Sequence, residues 1–194
     1  MTKRALIPIA NGTEEIEAVT MIDVLRRAGI EVTVASVNDS GELKIVGAQG
    51  ITIVADCTID DCTTALFDLI AVPGGLPGSE NLAASSALDR LLREQAAKGR
   101  LYAAICAAPK LVLSSKGLLQ DKIVTGHPMF QQNIEAKEVN GKSRVVVDGN
   151  CITSQGPGTA LDFALDLVQQ LCGVVKREEV GSRLVLTTSA ATYY

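Results

Sequence analysis

One cysteine lies at the junction of a strand pattern and a helix pattern. In the segment AAICAAP, residues 103–109, Cys106 follows the apolar run LYAAI and precedes APKLVLSSKG. The first run is typical of a buried strand, and the second predicts a short helix. At such a turn a side chain projects at the top of the sheet, and the free N–H groups of the helix favour the thiolate, the nucleophilic form of cysteine. Cys106 is therefore a candidate nucleophile, with a buried structural cysteine as the alternative.

A carboxylic acid lies on the apolar face of the first predicted helix, residues 14–28. At about 100° per residue, Glu17 falls in the same stripe as Met21 and Val24. Burying a carboxylate without a partner is costly, so its pKa rises and it tends to stay protonated. A protonated Glu17 can donate a hydrogen bond to a thiolate and move a proton, whereas a slightly rotated helix would leave it at the solvent-exposed rim. Because this helix follows the first strand, Glu17 is predicted near the same sheet edge as Cys106.

Two glycines and the single histidine complete the candidate site. Gly74 and Gly75 follow the strand pattern LIAV, and glycine lets backbone N–H groups approach a ligand closely. The N–H of Gly75 is a candidate donor to the oxyanion formed when Cys106 attacks a carbonyl, although an ordinary strand-to-helix turn explains the same glycines. His127 follows another strand pattern. Near a cysteine it can polarise the thiol or transfer protons, and as a lone histidine it also fits a structural role.

The composition describes one domain with an aliphatic core and limits the classes of function. The chain has 194 residues, 47% of them hydrophobic, and no tryptophan. A net charge of −4 without a basic block gives no reason to expect nucleic acid as a partner. The apolar run at the N-terminus ends at Asn11, which is too short for a signal peptide, and no membrane span is visible. We therefore expect a cytoplasmic protein.

The cysteines form neither a disulfide framework nor a metal-binding pattern. There are five of them, and their spacing suggests no pairing: Cys57, Cys62, Cys106, Cys151 and Cys172. Cys57 and Cys62 have a separation that a zinc site can use, but there is no matching second pair and only one histidine. We expect no metal and no cofactor, and packing explains the four cysteines other than Cys106.

Strand and helix patterns alternate along the chain. Strands are predicted in the apolar runs at residues 5–10, 31–37, 51–55, 69–75, 101–106 and 144–149. Helices are predicted at residues 14–28, 87–97, 109–115 and 160–171. This alternation indicates a mainly parallel sheet whose ligands bind beyond the carboxyl ends of the strands. The turn-rich segments NDSGELK and VNGKSRVVVDGN predict hairpins, so part of the sheet is expected to be antiparallel.

Together these segments resemble the ThiJ/PfpI superfamily, in particular its small single-domain branch, the YajL and parkinsonism-associated protein deglycase branch. The resemblance is carried by NGTEEIEAVTMIDVLRRAGI, VPGG, AAICAAP, TGHP and TSQGPGTALDFAL, and it extends to the C-terminal SRLVLTTSAATYY. Order and spacing fit across nearly the whole chain, so we expect one domain over residues 1–194. The resemblance implies an α/β fold, a flavodoxin-like three-layer sandwich with helices on both faces of a mainly parallel sheet, and a homodimer.

The resemblance also implies roles for individual residues. Cys106 is the reactive cysteine, Glu17 is the acid that hydrogen-bonds it, and His127 is a lower-ranked catalytic residue close by. The residues expected at the oxyanion and substrate-binding position are Gly74, Gly75 and Ala107. At the wall shared by the active site and the dimer contact we expect Arg27 and Pro157.

Two positions depart from the resemblance. Members of the superfamily often carry an arginine and a second cysteine in the loop before ITIVAD, where this chain has Gln49 and Gly47. An anion or an oxidised sulfur at Cys106 would then lose a cationic contact, which puts the stability of a sulfinate in doubt.

The first functional hypothesis is a cofactor-free glyoxalase or deglycase that protects against carbonyl and oxidative stress. It acts on methylglyoxal, glyoxal or their early glycation adducts, with nucleic acid expected only as a glycated substrate. The second hypothesis is a redox sensor or stress chaperone, with unfolded proteins as clients and with Cys106 oxidised to a sulfinate. The third is a cysteine peptidase or amidotransferase-like hydrolase, which needs His127 aligned with Cys106.

Overall fold

A seven-stranded sheet forms the centre of the computed structural model, which describes residues 2–38 and 41–186. Its order is β10-β11-β7-β6-β1-β2-β5, and every neighbouring pair is parallel except β10 with β11. The strands along the chain are β1 (Arg4–Ile9), β2 (Glu31–Ser36), β3 (Lys44–Val46), β4 (Thr52–Val54), β5 (Cys57–Thr58), β6 (Leu69–Val72), β7 (Leu101–Ile105), β8 (Ile123–Val124), β9 (Glu138–Val139), β10 (Val145–Asp148) and β11 (Cys151–Ser154).

Helices cover both faces of this sheet. They are α1 (Glu15–Arg27), α2 (Gly78–Ala84), α3 (Ser86–Ala97), α4 (Ala160–Cys172) and α5 (Val174–Arg183), with a π-helix at Pro109–Leu113. Alternate residues of β1 enter different cores: Ile7 packs with α1 and α4, whereas Leu6 packs with α3 and the π-helix. Side chains of successive strand residues point to opposite faces, so both faces of the central strands are buried. The predicted three-layer α/β sandwich is therefore confirmed.

Several elements differ from the sequence predictions. Residues 51–55 do not join the main sheet, because β4 pairs with β3 in a separate antiparallel hairpin. The predicted strand at residues 144–149 corresponds to β10. It pairs with β11, a strand that was not predicted, and the chain turns between the two strands at Gly149, where φ is +59°. The motif CITS is too short and too polar to predict a central strand, yet all four of its residues are buried. Helices α2 and α5 were also missed.

Two segments singled out in the sequence lie partly outside the described residues. The C-terminal stretch SRLVLTTSAATYY extends beyond residue 186, so most of it lies outside the described residues. In the segment NDSGELK, residues 39 and 40 also lie outside them. Among the helices that are described, none combines the length and the apolar character that a membrane crossing requires.

Candidate active site

Cys106 lies in a strained turn at the carboxyl edge of the sheet. It directly follows β7, and its backbone φ is +67°, a left-handed conformation that is uncommon outside glycine. The turn is held from both sides, because the N–H of Cys106 donates to Ser154 O over 3.1 Å and the N–H of His127 donates to Cys106 O over 2.8 Å. The fold thus fixes the direction in which this thiol points.

Glu17 is fully buried beside this thiol. Its carboxyl group accepts a hydrogen bond from Gly74 N–H at Oε2 over 2.7 Å, while Oε1 is buried with no partner of normal hydrogen-bond geometry among the described groups. The carboxyl group and the Cys106 thiol lie close enough for each to affect the pKa of the other. The prediction that Glu17 faces the core is confirmed, and it meets Cys106 because the carboxyl edge of the sheet brings α1 and the end of β7 together.

The pKa values of these two groups are both raised. Burial raises the pKa of Glu17 to about 7, against a smaller opposing effect of the hydrogen bond from Gly74. Burial and the negative charge of ionised Glu17 raise the pKa of Cys106 to about 12, while the N–H groups of Gly75 and Ala107 act in the opposite direction. A thiolate at Cys106 is therefore disfavoured while Glu17 is ionised, and the expected thiolate requires the protonated acid.

The two groups are best described as one titrating pair. Strongly interacting sites lose their protons in macroscopic steps that belong to the pair. The first proton leaves the pair near pH 7 and the second near pH 12. Over the neutral and alkaline range between these steps, Glu17 and Cys106 hold a single proton between them.

This arrangement predicts a pH-dependent stability. The native pair keeps its first proton up to about pH 7, whereas an unfolded glutamate loses it near 4.5. Stability from this group is therefore complete below pH 4.5 and is lost as pH rises through 7, by up to about 3 kcal/mol. Denaturant unfolding of wild type and Glu17→Gln between pH 4.5 and 8 checks this, because groups outside the pair cancel in the difference. A difference that stays constant across that range would contradict the assignment.

Gly74 leaves the space in which the two groups meet. A Cβ at this position would lie 2.6 Å from Cys106 Cβ and 2.8 Å from Glu17 Oε2, and both distances are too short for contact. At Gly75, φ is +94° and a Cβ would collide with backbone atoms of Glu14 and Gly12. Glycine is thus required at both positions, which is more than the strand-to-helix turn alone demands.

We expect Gly74→Ala to separate the acid from the thiol. The added methyl group must push apart atoms at a fully buried site, which costs about 1–3 kcal/mol of stability. A displacement of the reacting groups by about 1 Å lowers kcat/KM on the order of 100-fold. Gly181→Ala is the matched control, since its Cβ would lie 3.6 Å from Leu186 Cδ1, an ordinary contact. If Gly74→Ala behaves like this control in activity and unfolding, the packing argument fails.

Cys106 opens into a pocket of about 270 Å³. The lining residues are Glu14, Ala48, Gln49, Gly75, Leu76, Cys106, Ala107, His127, Met129 and Phe130. The volume suits a molecule of a few heavy atoms, and the lining combines apolar side chains with backbone N–H groups at the sulfur. None of these lining residues is a lysine or an arginine, so the cationic contact that Gln49 lacks is not replaced within this lining.

His127 lies in the pocket but is not paired with the thiol. Its Nδ1 accepts a hydrogen bond from Met129 N–H over 3.3 Å, and its ring packs edge-on against Phe130. No hydrogen bond joins its imidazole to Cys106 Sγ among the described residues. On its other side, His127 shares a shallow surface cavity with Pro157. The geometry gives the imidazole access to a ligand but does not form a cysteine–histidine dyad.

Arg27 lies apart from the pocket within one chain. It ends α1, and its Nε donates to Asp23 Oδ2 over 2.5 Å on the surface. Its predicted place at the active-site wall depends on a second subunit and remains a prediction, as does that of Pro157.

Glu15 has a role at the site that its position in the sequence does not reveal. The helix dipole accounts for an acidic residue in the first turn of a helix. However, Glu15 is only 3% exposed, and its Oε1 accepts hydrogen bonds from the N–H groups of Gln49 and Ile51. A Cβ at Gly47 would collide with this carboxyl group. Gly47 therefore makes room for Glu15, which fixes the loop that carries Gln49 into the pocket. The signal available in the sequence was the presence of three acids, Glu14, Glu15 and Glu17, within four residues at the start of a helix with one apolar face.

The part of the chain that the structure describes holds no group of three or more histidine, cysteine, aspartate or glutamate side chains suited to a metal ion.

Comparison with known proteins gives a consistent result over most of the chain. The model of the DJ-1/PfpI family matches residues 3–170. The chain is 48% identical over 186 residues to the DJ-1 homolog A of Arabidopsis thaliana, covering 95% of this chain and 47% of that protein. It spans about half the length of the two Arabidopsis relatives that it matches.

A shorter relative and a solved structure agree. A Caenorhabditis elegans protein named as a glutathione-independent glyoxalase, DJR-1.2, is 35% identical over 185 residues, which cover 95% of this chain and 97% of that protein. The crystal structure of Drosophila melanogaster DJ-1beta superposes with a TM-score of 0.92 at 40% identity, covering 96% of this chain and all of that one. The resemblance found in the sequence motifs is thereby confirmed.

Proposed function

Because the chain belongs to the DJ-1/PfpI family, we propose that it is a cytoplasmic, cofactor-independent cysteine enzyme of the glyoxalase or deglycase type. Its substrates are methylglyoxal, glyoxal or their early glycation adducts, and its role is protection against carbonyl and oxidative stress. The observation that carries the proposal is the meeting of the Cys106 thiol, the buried Glu17 carboxyl group and two backbone N–H donors at one small pocket. The relative named as a glyoxalase supports the same class of activity.

The single proton of the titrating pair is assigned to Glu17, and the charge to the sulfur. Cys106 is only partly buried and receives two backbone N–H groups, from Gly75 and Ala107. The Glu17 carboxyl group is fully buried and receives one, from Gly74. A charge is more stable where more donors and more solvent reach it. The neutral acid then donates a hydrogen bond to the thiolate and keeps the nucleophile ready.

The reaction on methylglyoxal follows from these positions. The Cys106 thiolate attacks the aldehyde carbon and forms a hemithioacetal, whose oxyanion the N–H groups of Gly75 and Ala107 stabilise. Glu17 protonates that oxygen, then as a carboxylate removes the C1 proton and returns it to C2 through an enediol. The product is the Cys106 thioester of lactate, and water hydrolyses it to lactate and the free thiol. The aldehyde is oxidised and the ketone reduced within one substrate, so the balance needs only water.

The experiment that tests this function is product analysis without glutathione. Wild-type protein is incubated with methylglyoxal in buffer free of thiols, and the products are identified by proton NMR in deuterated water. We expect lactate, with deuterium at C2 only where the shuttled proton exchanges with solvent. Consumption of methylglyoxal without lactate would mean that the protein only traps the aldehyde, and the enzymatic proposal would be wrong.

A redox-sensing role of the same thiol is the second candidate function. The partly exposed sulfur and its two N–H donors suit an oxidised cysteine as well as a thiolate. The rate constant of Cys106 with hydrogen peroxide, compared with turnover of methylglyoxal, separates the two roles. Slow oxidation with fast turnover supports the enzyme, and the reverse supports the sensor. The peptidase hypothesis receives no support, because His127 makes no hydrogen bond to the thiol in the described geometry.

A homodimer is proposed from the outer side of α1. Val19 on this helix and Val54 on the β3–β4 hairpin are 49% and 66% exposed and line one groove. A second copy of the chain packed on this surface would cover both side chains and bring its own α1 near the site. Arg27 and Pro157 would then lie at the shared wall. Sedimentation equilibrium is expected to give twice the mass of one chain.

A further inference from the structure

The structure places two thiols together at the far edge of the sheet. Cys57 lies in β5, the last strand of the main sheet, and Cys62 ends the short 3₁₀ turn that follows. Their sulfur atoms are 3.6 Å apart. Neither residue lines the Cys106 pocket, so the pair is separate from the site described above.

We propose that Cys57 and Cys62 form a second redox site, a dithiol that small disulfides oxidise reversibly to an intramolecular disulfide. A disulfide bond is about 2.05 Å long, so oxidation requires the two sulfurs to approach by about 1.5 Å. This distance is the primary support, since thiols that merely share a core do not need to be neighbours.

The connecting turn holds the two thiols in this arrangement. Asp61 Oδ2 accepts from the backbone N–H of Thr58 over 3.0 Å and from its hydroxyl over 2.6 Å. The N–H of Cys62 donates to Ile59 O over 3.0 Å. A loop closed by these bonds presents both sulfurs at a fixed separation and raises the effective concentration of one thiol at the other.

The two thiols differ in exposure, which assigns their order of reaction. Cys57 is partly exposed, whereas Cys62 is 3% exposed. Burial raises the pKa of Cys62 to about 12, and its hydrogen bond with Cys57 contributes in the same direction. Once Cys57 is part of a mixed disulfide, the hydrogen bond with its thiol is lost, which removes one of the causes that raise the pKa of Cys62. Cys57 is therefore the thiol that meets the oxidant, and Cys62 is the thiol that resolves the intermediate.

The reaction balances with one small disulfide, R–S–S–R. The Cys57 thiolate attacks one sulfur, expels R–S⁻ and forms a mixed disulfide. Cys62 then gives its proton to solvent, attacks the sulfur of Cys57 and expels the second R–S⁻. Two protein thiols are oxidised by two electrons, and the small disulfide is reduced to two thiols. In a reducing compartment such a bond is transient, so it reports the thiol–disulfide state of the surroundings.

The test uses the full chain with Cys106→Ser and Cys172→Ser, so that two other accessible thiols do not react. The reduced protein is treated with oxidised glutathione, quenched with acid, unfolded, alkylated and analysed by intact mass and peptide mapping. We expect loss of two alkylatable thiols without retained glutathione, a Cys57–Cys62 linked peptide, and full reversal by dithiothreitol. Asp61→Ala is expected to slow ring closure on the order of tenfold by loosening the turn.

Single replacements separate the steps. Cys62→Ser is expected to stop at the glutathione adduct on Cys57, and Cys62→Ala serves if the serine variant does not fold. Cys57→Ser is expected to leave Cys62 unreacted. The proposal is overturned if the protein with Cys106→Ser and Cys172→Ser, here called the parent protein, keeps Cys57 and Cys62 alkylatable while Cys172 of wild type reacts fully with oxidised glutathione. It is also overturned if the parent protein retains glutathione on Cys57 without closing the ring.

Discussion

Cys106→Ser is expected to abolish the conversion of methylglyoxal to lactate, with a loss in kcat of at least about 1,000-fold. A serine hydroxyl is not ionised at neutral pH, and a buried glutamic acid that already holds the proton of the pair cannot activate it. The measurement is lactate formation under saturating methylglyoxal. Unfolding by denaturant, measured on the same variant, separates a chemical effect from a loss of structure.

Cys172→Ser is the matched control for this experiment. Cys172 ends α4 and is exposed, so its replacement removes one thiol without touching the pocket. Activity of this variant is expected to equal that of wild type. Lactate production by Cys106→Ser at more than a few per cent of the wild-type rate would assign the chemistry to another group.

Glu17→Gln is expected to lower kcat by about 100- to 10,000-fold. Glutamine keeps the size of the side chain and can donate an N–H to the sulfur, but it cannot carry a proton from C1 to C2 of the substrate. The thiol should still react with the aldehyde, so methylglyoxal is expected to accumulate on Cys106 as a hemithioacetal. Native mass spectrometry, without an unfolding step, detects that adduct.

Glu94→Gln provides the comparison for this variant. Glu94 lies on the surface of α3, where its carboxylate pairs with Arg100. Replacing it makes the same carboxyl-to-carboxamide change away from the pocket and is expected to leave kcat unchanged. Equal activity of Glu17→Gln and Glu94→Gln would show that no proton passes through the buried acid, and the mechanism would need another proton carrier.

The residues of the candidate site could be predicted from the sequence, whereas their pKa values could not. Cys106 and Glu17 could be found because one follows a strand and the other interrupts an apolar helix face, and both patterns depend on local periodicity. Their pKa values depend on burial and on the distance between the two groups, which are set by how α1 packs against the end of β7. A pattern along the chain contains neither quantity, so the sequence could not give the two pKa values.

The missed elements have similar physical causes. CITS reads as a loop because three of its residues are small or polar, but neighbours on both sides pair with it and satisfy its backbone. The contact between Glu15 and Gly47 was not predicted, because it joins residues 32 positions apart. Cys57 and Cys62 were assigned to packing for the same reason, since their spacing alone does not fix the distance between the two sulfurs.

The central claim is that the shared proton resides on Glu17 and the charge on Cys106 at neutral pH. It is tested most directly by the thiolate absorbance near 240 nm, recorded against pH as the difference between wild type and Cys106→Ser. We predict a thiolate step below the value of free cysteine, because the N–H groups of Gly75 and Ala107 stabilise the charge on the sulfur. A thiol that titrates at or above the value of free cysteine, about 8.5, would contradict it.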